Sequence, residues 1–435
     1  MRFILRGKQL IDGTGAAVLP APLLLIDNTQ ICAVHSGHET PRAWGHVDRL
    51  LDYSHCTLLP GLIDAHVHLI WGGTADPVAD LAHESNDLLL LRAADNARLS
   101  LFAGVTTVRD CGGRAGTTFV LREAIARGLI PGPRVRACGR PLTPPGGHCH
   151  FFHGEADGLT GIRDAIARLA DEGADFIKIM ATGGGMTATT NPGVASYTAG
   201  EIRTAVEDAA ARGLTVGAHC HGVEGMWHAV EAGCRTIEHA SFMTPERAIV
   251  YDPRLGERLV ARGTYIVPTL PAGYHPAARL RRQATRTHDE DQGLRARERR
   301  EAIMATLYRM GARLVYGTDN GVNLTPFGEP VLGLQLMEQL GMTPLQALHS
   351  ATGLAAEALD VADTLGTLQV GKQADILAVA GDPSQDLRAL THLEMVMLGG
   401  RPLASSAPIH WQDAAWHSDT PYEDSTRTAY AQADD

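Results

Sequence analysis

Short apolar runs bounded by turn residues alternate along most of this chain with longer segments whose apolar positions recur at helical spacing. In residues 1–56 the runs FILRG, LLLID, ICAVH and LLDYS follow one another with only turn signals between them, such as Asp12-Gly13, which predicts the hairpins of a small sheet. From Thr57 the pattern changes to strand then helix. Strand candidates fall at 58–66 (LLPGLIDAH), 105–110 (VTTVRD), 134–139 (RVRACG), 175–181 (DFIKIMA), 214–220 (LTVGAHC), 236–240 (TIEHA), 264–270 (TYIVPTL) and 313–319 (RLVYGTD). Helical stretches such as SNDLLLLRAADNARLSLFAG and TAGEIRTAVEDAAARG lie between them, and Gly104, Gly173 and Gly213 each stand just before a strand as helix stop signals. Eight alternations predict parallel βα units closed into a (β/α)8 barrel, an α/β fold.

The interval 271–310 is long and rich in Arg and Glu, and its charge run reads as a solvated helix face. After the eighth strand, MTPLQALHSATGLAAEAL predicts two short helices, with Pro344 in a first turn. β character then returns in GTLQVGKQADILAVAGDP and LEMVMLGGRPL. Both β-rich ends are expected to build one small domain, residues 1–56 with 362–435, beside a barrel over 57–361. The residues after about Ala404 read as a polar, loosely ordered tail.

An apolar content of 44 % in 435 residues is ample for one large core and a smaller one. Forty-nine acidic against 38 basic residues give a formal charge of −11, which argues against a nucleic-acid partner. Cys32, Cys56, Cys111, Cys138, Cys149, Cys220 and Cys234 show no paired Cys-x-x-Cys spacing and read as reduced thiols. The first residues lack the apolar stretch of a signal peptide, and no run approaches the roughly 18 apolar residues of a membrane span. A cytoplasmic protein with no membrane partner is expected.

Chemistry enters at the carboxyl ends of the predicted strands, the face where barrel active sites form. Strand alternation sends His66 and His68 to one side, where a metal ion can bridge two imidazoles. His219 ends the fifth strand, His239 the sixth and Asp319 the eighth, while Lys178 sits between apolar residues of the fourth. A lone ammonium there is costly to bury. Either its head snorkels out at the strand end, or CO2 has added to the amine to give a carbamate whose two oxygens bridge two cations. His221, two residues past His219, is aimed by alternation into the same mouth. The loop PPGGHCHFFHGEADG carries His148, His150 and His153, imidazoles able to bind a carboxylate or to form a separate metal site. The glycine-rich TGGGMTATTNPG lacks the Gly-Lys-Ser/Thr of a phosphate loop and reads as a rim loop, with Tyr197 beyond it as a further contact.

These motifs together resemble the amidohydrolase superfamily of binuclear metal hydrolases from end to end: PGLIDAHVH its first-strand motif, FIKIMATGG its carboxylated-lysine segment, GAHCHG and IEHAS its next two histidine strands, YGTDNG its eighth-strand aspartate, and GKQADILAV its return to a small β-sandwich. Within it, VTTVRDCGG and GGHCHFFHGEADG resemble the branch of prolidase-like dipeptidases and imidazolonepropionase-related enzymes. The resemblance implies that His66, His68 and Asp319 hold one ion, that His219 and His239 hold the other, and that carboxylated Lys178 bridges them. Zinc suits these ligands, with manganese, cobalt or iron as alternatives. It further implies a metal-bound hydroxide as nucleophile, Asp319 as proton carrier to the leaving nitrogen, and His221 as donor to the carbonyl oxygen. His148, then His150, are the implied substrate contacts. Arg109 either faces the site or pairs with Asp110. A homo-oligomer is expected, acting on a small amide: an N-acyl amino acid or dipeptide, or alternatively a cyclic amide or a xenobiotic carbamate, urea or anilide. A metal-binding scaffold without catalysis would be marked by a missing ligand, and none is missing.

Overall fold

The computed structural model describes residues 2–403. The polar tail expected after Ala404 lies outside the described residues. Eight parallel strands, Leu62–Val67, Val105–Asp110, Arg134–Ala137, Ile177–Met180, Val216–Gly222, Thr236–Met243, Tyr265–Val267 and Arg313–Leu314, run in chain order. Regular pairing joins the first three and the last five.

Two seams close the ring. Between the third and fourth strands, Leu142 N donates to Lys178 O and Met180 N to Leu142 O, both at 2.8 Å. Between the eighth and first, Ala65 N donates to Tyr316 O at 3.1 Å, Asp319 N to His66 O at 2.7 Å and His68 N to Asn320 O at 2.9 Å. The closed ring is a (β/α)8 barrel. Asp64 clamps the second seam, accepting from Thr318 Oγ1 at 2.6 Å and from the amides of Thr318 and His66 at 3.1 Å. Burial pushes that carboxyl up to about 6.

The outer helices bury one stripe each. In Gly158–Asp171, Ile162, Ala165, Ile166 and Leu169 form the i, i+3, i+4, i+7 set that packs on the barrel. The charged interval beyond the seventh strand folds as helices Tyr274–Arg282 and His288–Arg309. The second is not solvated all round: Leu294, Arg297, Ile303, Met304 and Leu307 are buried.

The chain ends meet in one eight-stranded sheet. Its order is Arg401–Pro402, Leu393–Leu398, Ile376–Ala380, Arg49–Pro60, Arg2–Leu10, Pro22–Asp27, Gln30–Ser36, with Leu19–Pro20 on the edge of Arg2–Leu10. Alternation in Pro22–Asp27 sends Leu24 and Ile26 to one apolar cluster and Leu23 and Leu25 to another, so both faces are covered.

The strand expected over 58–66 is in fact the end of one strand and most of another. Leu58–Pro60 pair with Ala378–Ile376 in the terminal sheet, and the barrel strand starts at Leu62. Gly61 makes the break: a Cβ there would lie 2.0 Å from Thr106 Oγ1. Among the described residues no helix is long and apolar enough to cross a membrane.

Candidate active site

At the carboxyl ends of the barrel strands, His66, His68, Lys178, His219, His239 and Asp319 line one cleft of about 160 Å³. His66 Nε2 and His68 Nε2 each lie 3.3 Å from Asp319 Oδ1, and Asp319 Oδ2 is 3.9 Å from His239 Nδ1. His239 Nε2 lies 3.0 Å from His219 Nδ1. Against the cost of burial, the His66 imidazole and its contact hold the Asp319 carboxyl well below the usual range.

Strand alternation alone does not produce this convergence. His239 at φ 67°, Thr269 at 48° and Asp319 at 63° sit in the left-handed region, where the chain turns out of the strand and re-aims its side chains.

The hydrogen bonds on the far side of each ring decide which nitrogen faces inward. His66 Nδ1 donates to Glu238 Oε2 at 2.7 Å, and His219 Nε2 donates to Gly183 O at 3.1 Å. His239 Nδ1 is bonded to Thr269 Oγ1 at 2.8 Å. In a neutral ring this leaves the lone pair of His66 Nε2 pointing at the acceptor Asp319 Oδ1, and that of His219 Nδ1 pointing toward the His239 ring. Asp319 Oδ1, buried between two imidazoles, has no hydrogen-bond donor of its own. Acceptors facing acceptors at these distances fit divalent cations, and oxygen and nitrogen donors of this kind suit zinc. Lys178 lines the same cleft. Its residue is 1 % exposed and Nζ has no hydrogen-bond partner.

Beneath the His66 ring lies a buried ion pair that sequence reasoning missed. Arg109 NH2 donates to Glu238 Oε1 at 2.7 Å, its NH1 to Thr236 Oγ1 at 3.0 Å and its Nε to Ala65 O at 2.6 Å. Against burial, the Arg109 charge holds Glu238 well below the usual carboxylate range. Arg109 was expected to face substrate or to pair with Asp110, and it does neither. All its reach is spent inside the barrel, where it supports the carboxylate that orients His66.

The Glu238→Gln variant is therefore expected to bind zinc about 10- to 100-fold more weakly, the usual effect of losing a carboxylate behind a ligating imidazole. Arg109→Met, which strands a buried charge, is expected to lose about 3–5 kcal/mol of stability. Competition of the apoprotein with a chromogenic chelator, and denaturant unfolding, read the two. Unchanged zinc affinity in Glu238→Gln would show that the His66 contact orients nothing.

The glycine-rich run serves the histidines rather than an anion. Gly183 supplies the carbonyl for His219, and Gly184 lies so close to His148 that a Cβ would stand 2.3 Å from its Nε2. Gly185 and Met186 line the cleft. His148 lines it too, its ring 4.6 Å from that of His219. Burial, then His221, His68 and Lys178, push His148 down to about 3, so the ring is neutral. His221 Nδ1 is bonded to Ser241 Oγ at 2.8 Å, and the ring borders the cleft.

Two expected contacts are turned elsewhere. His150 opens a short 3-10 helix, His150–Phe152, with Nδ1 bonded to Gly147 O at 3.1 Å, and does not line the cleft. That turn instead sets Phe152 against Trp71, whose ring backs His68 at 4.8 Å. Tyr197 is buried and donates to Ala156 O at 2.7 Å, so its hydroxyl is committed to holding the loop. His153 is exposed and forms no metal cluster with His148. Trp71 and Arg300, neither of them expected, do line the cleft.

Known proteins match the chain along most of its length. The profile of the amidohydrolase family matches residues 57–403. The ochratoxinase of Aspergillus niger is 30 % identical over 441 residues, covering 90 % of this chain and 85 % of that one. A crystal structure of a Xaa-Pro dipeptidase with bound methionine in its active site superposes with a TM-score of 0.81 at 28 % identity, covering 93 % of this chain and all of the other. Imidazolonepropionase of Pseudomonas putida is 26 % identical, over 76 % of this chain and 81 % of that one.

Proposed function

The chain belongs to the amidohydrolase family and is a hydrolase of carbon–nitrogen bonds; from that premise we propose that it cleaves the amide bond of a small N-acyl amino acid or dipeptide-like substrate. The observation that carries the reading is the convergence of four inward-facing imidazoles and Asp319 around a buried amine with no partner. His66, His68 and Asp319 would hold one ion and His219 and His239 the other, with carboxylated Lys178 between them. When bound, such ions polarise a scissile carbonyl and make water acidic enough to react near neutral pH.

The chain's own residues then have separable tasks. Asp319 takes a proton from the attacking water and returns it to the leaving nitrogen, which makes amine departure possible. In the His221 tautomer that accepts from the Ser241 hydroxyl at Nδ1, the Nε2 proton is available to the carbonyl oxygen as charge gathers there, an effect typically worth ~3 kcal/mol. Trp71, Met180, Met186 and Val322 give the small cleft an apolar side for the acyl group. The name of one relative, a Xaa-Pro dipeptidase, supports an acyl–amino acid linkage over a ring amide.

A direct comparison tests this. Zinc- and manganese-loaded protein is offered N-acyl amino acids, dipeptides including Xaa-Pro, an imidazolone ring substrate, aryl carbamates and phenylureas at equal concentration. The acyl amino acids and dipeptides are expected to react at least about tenfold faster, by kcat/KM, than the rest. Turnover confined to the ring substrate, or to carbamates and ureas, overturns the assignment.

A further inference from the structure

The cleft holds a cation for which the metal chemistry has no use. Arg300 lines it, from the charged helix His288–Arg309. That helix is pinned across the chain leaving the seventh barrel strand. Arg297 donates from NH1 to Ala272 O at 2.9 Å and from NH2 to Leu270 O at 2.7 Å, and its Nε pairs with Glu301 at 2.7 Å. Arg300 stands three residues after Arg297 and four before buried Met304, on the same stripe of the helix.

Three arginines near it are matched, the unmatched Arg295 and Arg299 lie exposed to water, and Arg300 is half-buried at the cleft without a match. Arg281 pairs with Glu298, Arg286 with Asp291 and Arg297 with Glu301. No hydrogen bond or ion pair reaches the Arg300 guanidinium among the described residues. The other charged side chains lining the cleft are Lys178 and Asp319, both part of the candidate metal set. A partly buried guanidinium without a partner is costly, and a planar fork of N–H donors matches a carboxylate in bidentate fashion.

We infer that Arg300 anchors the free carboxylate of the substrate's amino-acid half, and so selects amides of amino acids over neutral amides. The inference rests on the amide-hydrolase reading above and adds to it the residue that reads the charge. It also moves this task away from His148, which lies packed against His219 and under Gly184. Arg300 is a binding residue here, with no part in bond making.

Two substrates that differ only in charge decide it: N-acetyl-L-methionine and N-acetyl-L-methioninol, in which a hydroxymethyl group replaces the carboxylate. In Arg300→Met, kcat/KM for the acid is expected to fall about 100-fold, mainly through KM, while the alcohol changes less than about threefold. Arg300→Lys should recover part of the loss, and zinc content and Tm should stay as in the parent. Calorimetric binding of L-methionine, which needs no turnover, is expected to weaken in parallel, with L-methioninol unaffected.

Equal losses on both substrates, no loss on either, or unchanged methionine binding overturns the inference and leaves the amide-hydrolase reading standing. If the parent cleaves neither amide yet binds methionine through Arg300, the reverse holds. A parent that does neither removes the basis for Arg300 as an anchor.

Discussion

Replacing Asp319 by asparagine is expected to lower kcat by about 10³- to 10⁴-fold on any amide the parent cleaves, while the protein stays folded. The asparagine is nearly isosteric and keeps one carbonyl oxygen between His66 Nε2 and His68 Nε2, which stand 3.3 Å from Oδ1. What disappears is the ability to take up and release a proton, a contribution of about 10²–10⁴ in rate. Loss of the negative charge from a nearly dry site adds to it. A thousandfold loss is about 4 kcal/mol of transition-state stabilisation. Metal content measured on the same sample separates two causes. Full metal with little activity supports the proton-carrier role. Loss of metal with loss of activity reduces Asp319 to a ligand, and full activity with full metal removes it from the chemistry.

How much of this was readable beforehand depended on whether a residue obeyed local periodicity. The eight strand–helix alternations, and the arrival of His66, His68, Lys178, His219, His239 and Asp319 in one cleft, followed from apolar runs ending in chemically capable groups. Glu238 was missed because alternation puts it opposite His239. In the structure Thr236 and Glu238 share the inward face, and the turn at His239, φ 67°, brings that next ring inward as well. A buried acid two residues after a threonine in an apolar strand was the available signal. Arg109 was misplaced because sequence distance to Asp110 hides Glu238, which is 129 residues away. Arg300 was hidden inside a charge run, although Leu294, Met304 and Leu307 already marked a buried stripe beside it. Which loop residues point inward depends on caps and carbonyls such as Gly147 O and Ala156 O, and no periodicity encodes those.

Lys178 carries the second large prediction, because its surroundings are hard to reconcile with a bare amine. It is among the largest fully buried side chains, its Nζ has no hydrogen-bond partner, and the cleft around it is lined by imidazoles. An ammonium so placed would forgo its hydration with no carboxylate hydrogen-bonded in return, a cost of several kcal/mol. Addition of CO2 to the neutral amine forms a new N–C bond, releases one proton and turns the side chain into an anion with two oxygens, which the surrounding donor set could use through shared cations. Lys178→Ala is therefore expected to bind zinc at least about 100-fold more weakly and to lose about 10³-fold or more in kcat. Millimolar acetate or propionate should restore part of both, since a free carboxylate fits where the side chain was removed. Parent protein prepared with ¹³C-labelled bicarbonate should show a carbamate carbon resonance that the variant lacks. The carbamate is refuted by a variant with full zinc occupancy, no response to short acids and a parent without that resonance; Lys178 would then be an unmodified lysine among the imidazoles.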